Sequence, residues 1–354
     1  MIPTCQEALA ALTSTPGAFI VTPVNVGLIN HTYKIRNGLT NVAYLLQRIN
    51  KQVFPEPEKI QENYRLIAGH IANRNPGFFI PQMQYFKNGQ SLFCDSNRYY
   101  WRLFSYVDNS RTLSLTEDPE QAAAVAETFA RMTAACKEVD IQKMHHILPG
   151  FHDVAGRLDQ FSTAVASAIP ERLKRSHNMV DGLNSRSRYA RLFTHFTRSA
   201  DYTRRVTHHD AKISNVLFDM DSGNILCPVD FDTIMPGYFF SDPGDMIRSM
   251  AGTTDENSTD LAAIRIRPEI YEAIIAGYLS GMRNELSPAE IKNIHTSGLL
   301  LIYMQSLRFL SDYLTGDQYY RIIYPEQNFD RALNQLTLLE RLEEFLEARY
   351  NFTC

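Results

Sequence analysis

One segment gathers side chains whose types and spacing could do chemistry together. From Arg205 to Asp232 the chain reads RVTHHDAKISNVLFDMDSGNILCPVDFD. It holds His208-x-Asp210-x-x-x-x-Asn215, with Asp230 following inside Val229-Asp230-Phe231. A carboxylate, an amide and a second carboxylate in this order suit phosphoryl transfer from a nucleotide. Asp210 would take the proton of an attacking hydroxyl, and Asn215 and Asp230 would hold Mg2+ against the phosphates. An Asp and an Asn in a polar loop are ordinarily turn formers, so the surroundings must decide. Here Val216-Leu217-Phe218 reads as a short buried strand, Asp219 to Asn224 as a turn, and Ile225 to Val229 as a partner strand. Such a hairpin would return Asp230 beside Asn215. His208 reads as a support of the loop rather than a chemical group, and His209 as a loop residue.

These residues need a scaffold, and the composition allows one. The chain has 354 residues, 44% of them hydrophobic, enough for two lobes with their own cores. The formal net charge is −4 and Lys and Arg are dispersed, which argues against a nucleic-acid partner. No apolar run approaches the roughly 18 residues of a membrane span, and the first residues lack the pattern of a secretory leader. Cys5, Cys94, Cys136, Cys227 and Cys354 are scattered with no C-x-x-C, as expected of free thiols in a reducing cytoplasm. There is no internal repeat, low-complexity tract or flexible linker, and nothing points to an obligate protein partner.

Residues 1–107 read as a mixed N-lobe. Glu7 to Leu12 is a short helix; Phe19-Ile20-Val21 and Thr32 to Ile35 are strands. The turn between the strands, Val24 to Asn30, has one glycine, Gly27, and offers Asn25 and Asn30 as donors toward a phosphate. It also has the makings of a plain strand connection, since it is neither G-x-G-x-x-G nor Walker A. Val42 to Ile49 is the next strand. Where a kinase carries its phosphate-pairing lysine the chain has Gln47, with Arg48 beside it; only one of the two can face a nucleotide. Glu58 to Asn73 has helical periodicity. Its Glu62 is either the partner of that position or a solvated acid. Phe79 to Phe86 and Ser91 to Cys94 read as strands. Tyr99 to Val107 is a strongly apolar strand whose end, Ser105, Tyr106 and Val107, is the expected adenine-reading hinge.

Residues 108–354 read as a larger, mainly helical C-lobe. Asp118-Pro119 opens an Ala-rich helix to about Lys137. Two more helices are expected over 154–168 and 171–198. His145, His146 and His152 lack the spacing of a zinc helix. Ser241 or Asp242 is a cap for a helix starting at Pro243. Asp245, one turn inside, either supports the catalytic-loop backbone or simply favours the helix N-terminus. Arg267 to Ser280 is amphipathic. Ser287-Pro288-Ala289-Glu290 is a capping box, opening a helix that runs to Leu314 with an all-apolar middle, Gly298 to Tyr303. Arg308 lies near its end, and Tyr313, Tyr319, Tyr320 and Tyr324 crowd the following loop. An Arg among aromatics suits a sugar face, and equally a packed loop. Asn328 to Tyr350 is a charged closing helix.

Taken together, these stretches resemble the aminoglycoside phosphotransferase-like kinases and, within them, the N-acetylhexosamine 1-kinases. The resemblance runs over most of the chain. It is sharpest at Arg205 to Asn215, at Val229-Asp230-Phe231-Asp232-Thr233-Ile234-Met235-Pro236-Gly237, at Gly244 to Arg248, and at Arg308 to Leu314 with Gly316-Asp317 and Tyr319. Weaker matches are Ile29 to Tyr33, Leu46-Gln47 and Phe151-His152-Asp153. It implies a two-lobed protein-kinase-like α+β fold and ATP- and Mg2+-dependent phosphorylation of the anomeric hydroxyl of N-acetylglucosamine or N-acetylgalactosamine. By position it implies Asp210 as base and Asn215 and Asp230 as Mg2+ ligands. Lys212, Asp230, Arg308 and Tyr319 would join Asp210 around the sugar. Asn30, Thr32, Gln47 and the Ser105–Val107 hinge would lie on the nucleotide, with His208 and Asp245 as supports. Gln47 is shared with this subgroup. The alternatives are a kinase of another small hydroxyl acceptor (another sugar, choline or an aminoglycoside) or an inactive kinase-like binding module, the latter favoured only by the missing lysine.

Overall fold

The structure, a computed structural model, describes residues 5–12, 18–24 and 29–353. Asn25 and Gly27 of the expected phosphate turn, and Cys354, lie outside the described residues. In chain order the elements are α1 (Gln6–Leu12), β1 (Phe19–Val24), β2 (His31–Asn37), β3 (Ala43–Ile49), α2 (Pro57–Arg74), β4 (Met83–Gln84), β5 (Leu92–Cys94), β6 (Tyr100–Ser105), β7 (Ser110–Arg111), α3 (Pro119–Ala135), α4 (Val154–Ala166), α5 (Pro170–Ser185), α6 (Arg188–Arg198), β8 (Arg205–Thr207), β9 (Val216–Asp219), β10 (Ile225–Pro228), β11 (Met235–Gly237), α7 (Ser241–Met250), α8 (Pro268–Met282), α9 (Pro288–Lys292), α10 (Thr296–Leu314) and α11 (Gln327–Tyr350). The chain divides into two compact units. The first is residues 1–111 with 138–148 and 217–235; the second is 112–137, 149–216 and 236–354.

The first unit is built on an antiparallel sheet in the order β1-β2-β3-β6-β4, with β5 also on β6. Strand alternation sorts its residues between two faces. Ile35, Leu46, Trp101 and Leu103 form a core with Ala8 and Leu9 of α1. The neighbouring positions on β3 and β6, Gln47 and Arg102, are direct partners in the ladder. Phe104 meets Tyr64 of α2 edge-on at 5.0 Å. Arg48 falls on the opposite side of β3 from Gln47 and lies over the Tyr99 ring at 4.3 Å. The expected strand over 79–86 shrinks to Met83–Gln84. Pro81 has no N–H to give, and the Gln82 N–H goes to the Ser105 hydroxyl (2.8 Å) instead of a ladder carbonyl. The predicted hairpin is present: β9 pairs with β10 and, on its other side, with β7. Asn109 donates to Asp219 (3.0 Å) and Asp221 (2.8 Å) of its turn.

The second unit is helical around α10, whose Gly298 to Tyr303 stretch is buried as its composition requires. Glycine and alanine let α3 and α8 approach closely. A Cβ added at Gly277 would stand 2.2 Å from the Ala123 carbonyl oxygen, and one at Gly281 would stand 2.5 Å from Ala130. The long helix expected from Ser287 to Leu314 is two helices. The capping box of Ser287 and Glu290 forms, but Asn293 turns its side chain back to the Ala289 carbonyl (2.9 Å) and across to Tyr202 (3.1 Å). Such local bonding competes with helix continuation. The helix expected over 171–198 is likewise divided at Arg186-Ser187. Arg186 and Arg188 there both reach Glu343 of α11 (2.9 and 2.8 Å).

Candidate active site

In the second unit, Asp210 sits on a loop braced from several directions. The loop leaves β8, where Arg205 makes a two-pronged ion pair with the buried Glu290 (2.8 and 3.0 Å). His208 and His209 give their backbone N–H groups to the two oxygens of Asp242 (3.1 and 2.8 Å). His208 is wholly buried against Phe129, and its Nδ1 accepts the Asp210 N–H (3.3 Å). His209 has a left-handed backbone, φ +66°. Gly237 lies against it, and a Cβ there would come within 2.6 Å of His209 Nε2. That contact explains the glycine closing the Thr233-Ile234-Met235-Pro236-Gly237 string.

The Asp210 carboxylate is held on one side. Its Oδ2 accepts from Lys212 Nζ (2.9 Å) and from Asn215 Nδ2 (2.7 Å), and the same amide also donates to the Asp210 carbonyl (2.8 Å). Oδ1 makes no hydrogen bond among the described residues. Burial alone would raise this carboxyl; the Lys212 ammonium, His208 and the Asn215 amide outweigh it and keep it below its ordinary value. The group is therefore ionised at neutral pH with one oxygen open, as a proton acceptor must be.

The support expected from Asp245 is supplied by Asp242 instead. Helix α7 begins at Ser241, so Asp242 lies inside its first turn, not at a cap, and its carboxylate takes the loop N–H groups. Asp245 pairs with Arg248 (2.9 Å from Nε), and its Oδ2 is buried without a hydrogen bond among the described residues. Burial raises both carboxyls, that of Asp242 to about 7.

Asp230 lies in the first unit, directly after β10, with a left-handed backbone (φ +62°) that caps a 3-10 turn Phe231–Thr233. Magnesium takes hard oxygen donors, commonly one or two from the protein and the rest from water and phosphate. With its amide nitrogen committed to Asp210, Asn215 has its oxygen left for such an ion, and Asp230 offers a carboxylate. Among the described residues no group of three or more His, Cys, Asp or Glu could hold a metal alone. The donor chemistry fits Mg2+ held jointly with a nucleotide.

The residues expected on the nucleotide are tied into the first unit. Gln47 Nε2 donates to Thr32 Oγ1 (3.1 Å), and Asn30 Nδ2 donates to Asp232 Oδ2 (2.7 Å). At the hinge, Ser105 N–H bonds Gln82 (2.8 Å) and Tyr106 N–H bonds Ala43 (3.3 Å). The Val107 N–H has no partner among the described residues, while its carbonyl takes the Ser110 hydroxyl (2.6 Å). Glu62 does not reach Gln47; it pairs with His145 at 2.5 Å. The next residue, Asn63, is buried and bonds His145 N (2.8 Å), His145 O (2.9 Å) and Ile234 O (2.8 Å).

Back in the second unit, Arg308 stands over three rings: Phe151 (5.3 Å), Tyr320 (5.5 Å) and Tyr319 (5.8 Å). Gln305 links its guanidinium (3.0 Å) to the Tyr320 hydroxyl (3.3 Å). The buried Asp312 shapes the loop by accepting the N–H groups of Gln318, Tyr319 and Tyr320 (2.8, 2.8 and 2.9 Å) and the Asn328 amide (2.9 Å). Phe151 stacks on His152 (4.8 Å), which meets His209 edge-on at 5.0 Å. A run of ring contacts thus joins Arg308 to the Asp210 loop. His152 is held neutral, well below its ordinary pKa, by burial and then by His209, Arg308, Arg248 and Arg157. Arg157 is a second cation here, lowered first by burial and then by Arg308. Asp242, Arg157 and Asp312 were not anticipated in these roles. The sequence signals for this side are the Arg308 to Leu314 run with Tyr319 and, more weakly, the Phe151-His152-Asp153 string.

Other proteins share this architecture. A microcompartment-associated aminopropanol kinase is 16% identical, with 98% of each chain covered and a TM-score of 0.63. Choline kinase from Cryptosporidium parvum Iowa II is 13% identical, covering 98% of this chain and 95% of that one, TM-score 0.56. Spectinomycin phosphotransferase, solved with ADP and spectinomycin, is 10% identical, covering 96% and 97%, TM-score 0.56. At such identities the likeness establishes the kinase-like α+β fold. The profile of the phosphotransferase enzyme family matches residues 20–288, most of the chain. The braced Asp210 loop and this match lead to one conclusion: the chain belongs to the phosphotransferase enzyme family.

Proposed function

We propose that this phosphotransferase moves the terminal phosphoryl group of ATP to the anomeric hydroxyl of an N-acetylhexosamine, N-acetylglucosamine or N-acetylgalactosamine. Asp210 Oδ1 takes the hydroxyl proton, while Lys212 and Asn215 keep Oδ2 fixed so that the open oxygen keeps its aim. Asn215 and Asp230 are the residues that would hold Mg2+, which when bound would supply positive charge against the phosphates. Val107 N–H reads the adenine. Lys212, Arg308 and Tyr319 contact the sugar. An anomeric hydroxyl is more acidic than an ordinary alcohol, so an ionised carboxylate suffices as base.

The observation that carries the choice of acceptor is the seat of Arg308. Its guanidinium already occupies the faces of Phe151, Tyr319 and Tyr320, with Arg157 beside it. A quaternary or primary ammonium acceptor would need those faces vacant or a wall of acids. A neutral sugar with an acetamido carbonyl instead gains donors there. The test is ADP release over a panel of N-acetylhexosamines, plain hexoses, choline, ethanolamine and an aminoglycoside, with the product located by ³¹P–¹H NMR. Phosphate on the anomeric carbon of an N-acetylhexosamine is the expected result. Preferred turnover of a cationic acceptor would overturn the choice.

A further inference from the structure

Gln47 stands where a kinase strand carries its phosphate-pairing lysine, yet both ends of its amide are engaged inside the first unit. Its Nε2 is on Thr32, and its Oε1 accepts Arg102 Nε at 3.0 Å. Arg102, opposite Gln47 in the β3–β6 ladder, is 3% exposed. Its Nη1 lies 2.5 Å from Asp232 Oδ1, and the Asp232 side chain is equally hidden. Asn30 occupies the other Asp232 oxygen and uses its own Oδ1 to take the Asn50 N–H (3.0 Å).

Asp232 belongs to the short 3-10 turn that Asp230 caps. The network Thr32–Gln47–Arg102–Asp232–Asn30 therefore fastens the turn carrying Asp230 to three points of the sheet: β2, β3 and β6. From the other direction Phe231 packs on Tyr64 (5.3 Å), and the Ile234 carbonyl is held by Asn63. A planar guanidinium with a fixed fork is suited to such a joint, where a lysine would supply only a point charge.

We propose that Arg102 is a positioning residue: through Asp232 it sets the carboxylate of Asp230 for a Mg2+–nucleotide. Elsewhere a Lys–Glu pair joins strand and helix and presents the Lys to the phosphates; here an Arg–Asp pair joins strand β6 to the turn that carries Asp230. The inference rests on the reading of Asp230 as a Mg2+ ligand, and is independent of the acceptor.

The test must separate positioning from mere stability, because removing one partner of a buried ion pair leaves the other uncompensated. Replacing both together, Arg102→Met with Asp232→Leu, is commonly tolerated by a fold. Arg102→Lys is the second variant, keeping the charge and losing the fork. Each would be measured without metal or nucleotide by thermal unfolding, and then by calorimetric titration with ADP in the presence and absence of Mg2+. The double variant is expected to stay folded and to melt above Arg102→Met alone, because no buried charge is left unpaired, and to bind metal-free ADP as the wild type does. It should lose about 10- to 100-fold of the affinity gained through Mg2+, the usual scale for outer-shell partners of metal ligands. Arg102→Lys should fold and fall between.

Folded variants that keep the full Mg2+-dependent gain would overturn the proposal. So would an equal loss with and without Mg2+, which would make Arg102 a contact of the nucleotide itself. A wild-type protein whose ADP affinity ignores Mg2+ would remove both this proposal and the reading of Asp230. Intact Mg2+ dependence without sugar turnover would remove only the choice of acceptor.

Discussion

Two carboxylate-bearing turns of this protein are held in opposite ways. Asp210 is fixed by its own loop: Lys212 and Asn215 are two and five positions away, and half of the carboxylate is left open. Asp232 is fixed by Arg102 of β6 and by Asn30, just before β2, both more than a hundred positions away in sequence, and is sealed from solvent. A locally held group can be altered without loosening the fold around it. A group held by distant strands is part of what keeps those strands in register. The first arrangement suits a residue that must exchange a proton; the second suits one that must not move.

The contrast would be broken most sharply at Asp210. Asp210→Asn should lower kcat by about 10³- to 10⁴-fold, at the upper end of general-base effects, with the melting temperature and sugar affinity near wild type. A large loss of stability would contradict a locally held base. Arg102→Met alone should do the reverse, costing about 3–5 kcal/mol in denaturant unfolding because Asp232 is left buried and unpaired. The next effect is a pH slope. Asp242 takes its proton near pH 7 in the folded protein and near 4 when unfolded. The folded state holds the extra proton between those values, so its contribution to stability declines as pH rises from about 4 to 7. Asp242→Asn should flatten this decline by roughly 3 kcal/mol in urea titrations at stepped pH. It would expose the opposite slope from His152, whose neutral burial loses stability as pH falls below about 6.5. Arg308→Lys should raise the KM for the sugar by about tenfold with little change in kcat, because the guanidinium's contacts with three rings and with Gln305 are lost. The smallest effect is expected at Glu62→Gln: under about 1 kcal/mol in unfolding, as for other partly exposed pairs, and near-normal turnover, since this Glu pairs with His145 and not with Gln47.

The same division between local and distant explains what could be read in advance. Asp210, Asn215, the β9–β10 hairpin and the Ser287 capping box are set by residues within a few positions, so their spacing is visible in the chain. The helix stop at Asn293 was missed because half of its cause is Tyr202, far away in sequence. Asp242 and Asp245 are both acids in the first two turns of one helix; only folding decides which faces the loop and which meets Arg248. Arg102 sits in a strongly apolar strand with nothing in its neighbourhood to mark it. Its importance arises from Asp232, whose neighbours in turn read only as part of a motif.

Asn63 carries a consequence of its own. Its three hydrogen bonds to His145 and Ile234, together with that of Tyr64 to Pro81, rivet helix α2 in place through neutral groups. Swinging the helix outward would sacrifice all of them. At about 1 kcal/mol or more apiece that keeps the displaced state below roughly one molecule in a hundred. Amides along α2 should then exchange with solvent as slowly as those of the sheet. Where signalling kinases use this helix as a throttle, these bonds hold it in one position.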